Sequence, residues 1–142
     1  MKVISTKDLP KDRQVTFHSG ISNRILLASD GMGYSLTKTV INPNKRVFQH
    51  YKNHLEACYC VSGKALLVNA KTAQYWAIGP DMTYVLDMHD PHYFEALEET
   101  VLICVFNPPL TGQEIHDKDG SYPAPEVSTD QAQANYFNPI GA

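Results

Sequence analysis

The segment "HYKNHLEACYCVSG", residues 50–63, begins as a polar stretch and ends as a strand. Side chains on a β-strand alternate between faces, so if His54 points inward, Glu56, Cys58 and Cys60 do too. Leu55, Ala57, Tyr59 and Val61 then point the other way. Both faces are largely apolar beyond residue 57, as expected of a strand packed on one side and covered on the other, for instance by a partner subunit. Ser62-Gly63 ends the strand in a turn. A buried carboxylate such as Glu56 needs a partner, and so does a buried imidazole. The segment thus predicts a core strand whose inner face carries chemistry at one end.

Similar short segments flank it on both sides. "RILLA", "GYSLTKTVI" and "KRVFQHY" precede it, with a turn at Asn42-Pro43-Asn44. "KALLVN", "QYWAI", "TYVLD", "HYFEAL" and "TVLICVF" follow, the last ending at Asn107-Pro108-Pro109. Roughly nine strands at regular spacing predict an all-β fold, a small barrel or sandwich of antiparallel sheets. Little helix is expected beyond one capped turn at Ser5-Thr6-Lys7-Asp8. Tyr84 and Leu86 are expected to share one face, His92 and Phe94 another, and Leu102, Cys104 and Phe106 a third. Residues 1–125 are read as one domain. The polar segment 126–142 is read as a tail, either flexible or closing over a pocket.

With 142 residues, 43% hydrophobic and 19% charged, the composition is that of an ordinary globular domain. The formal charge of −3 gives no electrostatic case for nucleic acid or an anionic membrane as partner. No signal-peptide pattern opens the chain and no run is long enough to span a bilayer, so a cytoplasmic location is expected. Three cysteines without a secretion signal argue against a disulfide framework. Cys58 and Cys60 are read as small core residues, with metal ligation the minor reading.

All histidines but His18 fall between residues 50 and 116, interleaved with Glu56, Asp87, Asp90, Glu114 and Asp117. Imidazole with carboxylate is a ligand set for Zn, Fe, Mn or Ni. His50 and His89 are read as structural, and Asp117 and Asp119 beside Gly120 as turn formers. Trp76 is read as core or interface.

The glutamate-to-glycine spacing of "EACYCVSG" and the glycine-proline turn with a late histidine in "GPDMTYVLDMHDPHYF" resemble the two cupin motifs. "HYKNHLEACYC", "LDMHDPHYF" and above all "VFNPPLTGQEIHDKDGSYP" are more specific, and resemble ectoine synthase, a cupin enzyme family. The likeness runs from about Arg24 to about Pro123. It implies a dimeric enzyme that cyclises N-γ-acetyl-L-2,4-diaminobutyrate to ectoine with loss of water, using a divalent metal. Iron(II) is the metal implied, with zinc(II) or manganese(II) as alternatives. By motif, the implied metal ligands are Glu56, Tyr84 and His92. The resemblance further implies that Tyr51, His54, Phe106, Glu114 and His116 line the substrate pocket. Tyr51, His54, Glu114 and His116 are its candidate catalytic groups, and Arg24 and Thr39 would hold the polar ends of the substrate.

These residue types suit the reaction. A metal can polarise an unreactive acetamide carbonyl, a base must free the attacking amine, and an acid must help the oxygen leave. The chain departs from the family's pattern before Arg24, where "HSGISNR" has no tryptophan, and at Thr37, where some members have asparagine. A cupin lyase or hydrolase acting on another small amino or hydroxy acid therefore stays open. So does a cupin that binds a small solute without turning it over.

Overall fold

A computed structural model describes residues 1–124 of the chain; the segment read as a tail lies outside the described residues. Ten strands follow one another: β1 Gln14–Phe17, β2 Gly20–Leu26, β3 Ser35–Ile41, β4 Lys45–Gln49, β5 Leu55–Ser62, β6 Ala65–Asn69, β7 Tyr75–Ile78, β8 Thr83–Leu86, β9 His92–Ala96 and β10 Thr100–Asn107. They form two antiparallel sheets, of order β1-β2-β3-β10-β5-β8 and β4-β9-β6-β7. This is the expected two-sheet barrel. Helix is limited to three short 3-10 turns, at Thr6–Asp8, Lys11–Arg13 and Ala28–Asp30. The Ser5 side chain caps the first of them by accepting from the Lys7 N–H. No helix among the described residues is long and apolar enough to cross a membrane.

The sheets close on each other because each strand presents an apolar inner face at period two. On β5, Glu56, Cys58 and Cys60 are buried while Leu55 and Tyr59 are exposed. On β10, Leu102, Cys104 and Phe106 lie opposite Cys60, Cys58 and Glu56 respectively. The facing sheet contributes Val47, Leu67, Phe94 and Ala96. Phe94 is 1% exposed; burying a side chain of that size stabilises by roughly 1.5–3 kcal/mol. The faces anticipated for Tyr84 with Leu86 and for His92 with Phe94 are the buried ones.

One expectation needs correction. The first hairpin is β1 with β2, paired from Gln14↔Asn23 to Phe17↔Gly20, whereas the apolar run "RILLA" pointed to a strand at its C-terminal end alone. The inward residues of β2 are Gly20, Ser22 and Arg24. Its inner face is polar, so the apolar alternation that normally marks a strand is absent.

Gly63 closes the β5–β6 turn at φ +96°, and a Cβ there would fall 2.3 Å from the Glu99 carbonyl oxygen. Both the left-handed backbone and the close approach exclude a side chain. Gly63→Ala is therefore expected to destabilise the fold by roughly 1–3 kcal/mol, read as a lower urea midpoint. An unchanged midpoint would show that the turn relaxes freely.

Candidate functional site

A narrow cavity opens at the end of the barrel where Glu56 sits. Strand β5 brings in Glu56, β8 Tyr84, β3 Thr39 and β10 Phe106. Beyond β10 the chain folds back over the mouth and adds His116 and Tyr122, against Tyr51 from the β4–β5 connection. Of the ten residues singled out from the sequence, Thr39, Tyr51, Glu56, Tyr84, Phe106 and His116 line this cavity. Arg24, His54, Glu114 and His92 do not. His92 instead borders, with Tyr84, a second cavity of about 280 Å³ between the sheets, reached past Trp76 and Asp87. The His92 ring lies 6.4 Å from Tyr51 and 6.5 Å from Tyr84, centroid to centroid.

Glu56 is 7% exposed, and among the described residues no Lys or Arg pairs with it. Its Oε1 accepts from the Cys58 thiol at 3.1 Å. Burial pushes its carboxyl up to about 7. Tyr84 and Tyr51 are likewise pushed well above the usual phenol range by burial. His92 is held below its ordinary value by burial, so its imidazole is neutral near pH 7. Both its nitrogens face carbonyl oxygens: Nδ1 lies 2.8 Å from the Asp90 carbonyl, and Nε2 3.2 Å from Gln49 Oε1. A neutral ring has one N–H, so only one of these contacts is a hydrogen bond. The shorter puts the proton on Nδ1 and leaves a lone pair on Nε2.

Across the cavity, Tyr51 Oη and His116 Nε2 are 2.8 Å apart, and Gln49 Nε2 donates to Tyr51 Oη at 2.9 Å. The His116 ring stacks on Tyr122 with centroids 4.6 Å apart. Burial, followed by the Arg24 charge, lowers the His116 imidazole to about 4.

Arg24 and Glu114 lie behind that stack. Arg24 is 1% exposed and sits 3.3 Å from the Glu114 carboxylate. It also donates to the Gly112 and Glu114 carbonyls. Glu114 further accepts from the Thr111 hydroxyl at 2.6 Å and the Gly112 N–H at 2.8 Å. Burial acts to raise the Glu114 carboxyl, but these bonds outweigh it and hold it below its ordinary value. Together they fasten the returning segment to β2. His54 is buried edge-on to Phe106 and Tyr122, and neither ring nitrogen has a hydrogen-bond partner among the described residues.

Phe17, Gln49 and Tyr122 are among the cavity residues that escaped the sequence reading. Phe17 on β1 enters the wall and meets His116 edge-on at 6.2 Å. It lies seven positions before Arg24 and enters through the unrecognised hairpin. Gln49 adjoins the opening stretch, where period two from Glu56 breaks at the loop before β5. Tyr122 stands inside the quoted "DGSYP", but nothing in its local pattern sets it apart from a turn residue. His89 Nδ1 donates to the Tyr51 and His54 carbonyls, and Asp117 holds the turn by accepting from the Asp119 and Ser121 N–H groups. Both match their structural reading. Trp76 is exposed beside the second cavity, which excludes the core reading and is compatible with an interface.

A divalent metal suits the donors present. An unpaired buried carboxylate, a phenol on the adjacent strand and a neutral imidazole with its far nitrogen anchored to a backbone carbonyl are hard-to-borderline donors.

A family model described as "Ectoine synthase" matches residues 1–126. The L-ectoine synthase of Desulfatibacillum aliphaticivorans is 51% identical over 102 residues, 72% of this chain and 78% of that protein. That of Halalkalibacterium halodurans is 40% identical over 124 residues, 87% of this chain and 96% of that protein. The crystal structure of ectoine synthase from P. lautus superposes with a TM-score of 0.79 at 36% identity, covering 91% of this chain and 94% of that one.

The lowered His116 value makes a stability prediction. Its unfolded form takes up a proton near 6.5 and its folded form only near 4. Stability from this group is therefore complete above the unfolded value and lost as pH falls from about 6.5 to 4. His116→Gln is expected to flatten the acid-side decline of the urea midpoint across that window. An identical decline in both proteins would mean that His116 is readily protonated in the folded state.

Proposed function

Because the chain belongs to the ectoine synthase family, we propose that it converts N-γ-acetyl-L-2,4-diaminobutyrate to ectoine and water. The observation that carries this reading is the cavity itself. It pairs an uncompensated carboxylate on one wall with a hydrogen-bonded phenol–imidazole couple on the other. Glu56, Tyr84 and His92 would hold the divalent metal, for which iron(II) is the proposed identity. Bound there, such a metal supplies Lewis acidity toward the acetamide oxygen.

The remaining steps fall to the chain. Arg24 and Glu114, already paired, carry the two charges needed to exchange with the α-carboxylate and α-ammonium of a zwitterion. Thr39 adds a hydroxyl in the wall, and His54 a buried ring with free hydrogen-bonding capacity. His116 is neutral at working pH and takes the amine proton. Its low value then makes the protonated ring a strong acid, and Tyr51, 2.8 Å away, relays the proton toward the departing oxygen. Phe17, Phe106 and Tyr122 exclude bulk water, which favours loss of water over hydrolysis of the acetyl group. The cavity volume is about 30 Å³, room for about two waters. Substrate entry thus requires the returning segment that carries His116 and Tyr122 to swing outward.

We also propose a homodimer. Tyr59 and Val61 of β5, Val85 of β8 and Val105 of β10 are exposed apolar residues on the outer face of three neighbouring strands. A second copy would cover them.

Incubation of the iron(II)-loaded protein with N-γ-acetyl-L-2,4-diaminobutyrate is expected to give ectoine by chromatography; no product above the metal-free background would overturn the assignment. Glu56→Ala and His92→Ala should each lose bound iron, and full occupancy in both would refute the ligand set. Val85→Lys should shift the light-scattering mass from dimer to monomer, whereas a monomeric parent protein would remove the dimer.

A further inference from the structure

Two thiols in the barrel remain without a role. Cys58 on β5 and Cys104 on β10 are directly opposed across the ladder and point to the same inner face. Their Sγ atoms are 3.4 Å apart, and Cys58 Sγ is 3.1 Å from Glu56 Oε1. All three residues are buried and free of disulfides, and their donor atoms lie within 4.8 Å of one another. Cys60, one pair deeper, turns to the Ser62 carbonyl instead.

We propose that Glu56, Cys58 and Cys104 form a second metal site, selective for thiophilic divalent cations such as Zn(II) and Cd(II), that shares Glu56 with the oxygen–nitrogen set. The sharing rests on the function proposed above, whereas the site itself rests on the three donors alone. Two sulfurs bound tetrahedrally at about 2.3 Å from zinc stand about 3.8 Å apart. The observed separation of 3.4 Å needs only a few tenths of an ångström of opening. Two sulfurs and one carboxylate leave a fourth position, which faces the cavity that Glu56 and Cys104 line. Ligation releases both thiol protons, and any proton on Glu56, to solvent with no change in oxidation state. Sulfur donors favour zinc-like ions, while carboxylate, phenol and imidazole suit harder ones. A thiophilic ion seated here takes Glu56 away from the harder metal, so the site would act as an inhibitory trap.

The test uses the full chain, reduced and anaerobic, titrated with Co(II) and Cd(II). The expected result is a sulfur-to-metal charge-transfer band in the near ultraviolet for Co(II), saturating at one ion per chain. Cys60→Ser should keep the band. Cys58→Ser and Cys104→Ser should each weaken it, and the double variant should lose it while still binding Co(II). Metal binding by the parent protein without a thiolate band overturns the proposal, whatever the folding of the variants, as does a full band in the double variant. Loading with Zn(II) and Fe(II) together should give one ion per chain in total. Two ions per chain would overturn the sharing of Glu56. None of these readouts depends on turnover, so a failure of the proposed activity would be seen separately.

Discussion

The site depends on one costly arrangement, a carboxylate on the inner face of a core strand with no cationic side chain among the described residues to neutralise it. Glu56 follows from the period of β5. Once Cys58 and Cys60 face the core, the residue two before them must also face inward. Burial alone disfavours its charge. Hydrogen bonding from the Cys58 thiol gives only partial relief within a largely aromatic and aliphatic surround. Fold stability gains nothing from such a group, and the metal-binding role proposed for it would account for its place.

The second constraint is the returning segment. Arg24 and Glu114 fasten the start of the segment that carries His116 and Tyr122, while the Tyr51–His116 contact, the Asn53–Tyr122 hydrogen bond and aromatic stacking seat the rest of it over the cavity. The same pair sets the electrostatics of the mouth, because the Arg24 charge helps keep His116 neutral. Arg24 therefore fastens the wall and helps hold the His116 ring neutral at once. A buried pair of this kind contributes little net stability against an apolar replacement, yet breaking it leaves an uncompensated charge.

The legible parts of the sequence were those where a face is apolar. β5, β8, β9 and β10 alternate plainly, and the residues expected to share a face do share one. The first hairpin was missed where the inward face is polar, at Ser22 and Arg24 of β2. Ser22 lines the cavity and Arg24 anchors the segment over it, so the strand signal fails at this end of the barrel. Phe17 was lost with it. The separation of His92 and Glu56 into different cavities was equally beyond reach, because it depends on how the two sheets pack and not on spacing along either strand. Motif resemblance supplied those residues where local pattern could not.

The central claim is that Glu56 is retained for metal and opposes the metal-free fold. Urea unfolding of the metal-free protein and of Glu56→Leu, both at mildly alkaline pH, tests it most directly. The account predicts that the leucine variant is the more stable by about 1 kcal/mol or more. It also predicts that added iron(II) raises the midpoint of the parent protein alone. A leucine variant less stable than the metal-free parent would contradict it, and would make Glu56 a structural residue.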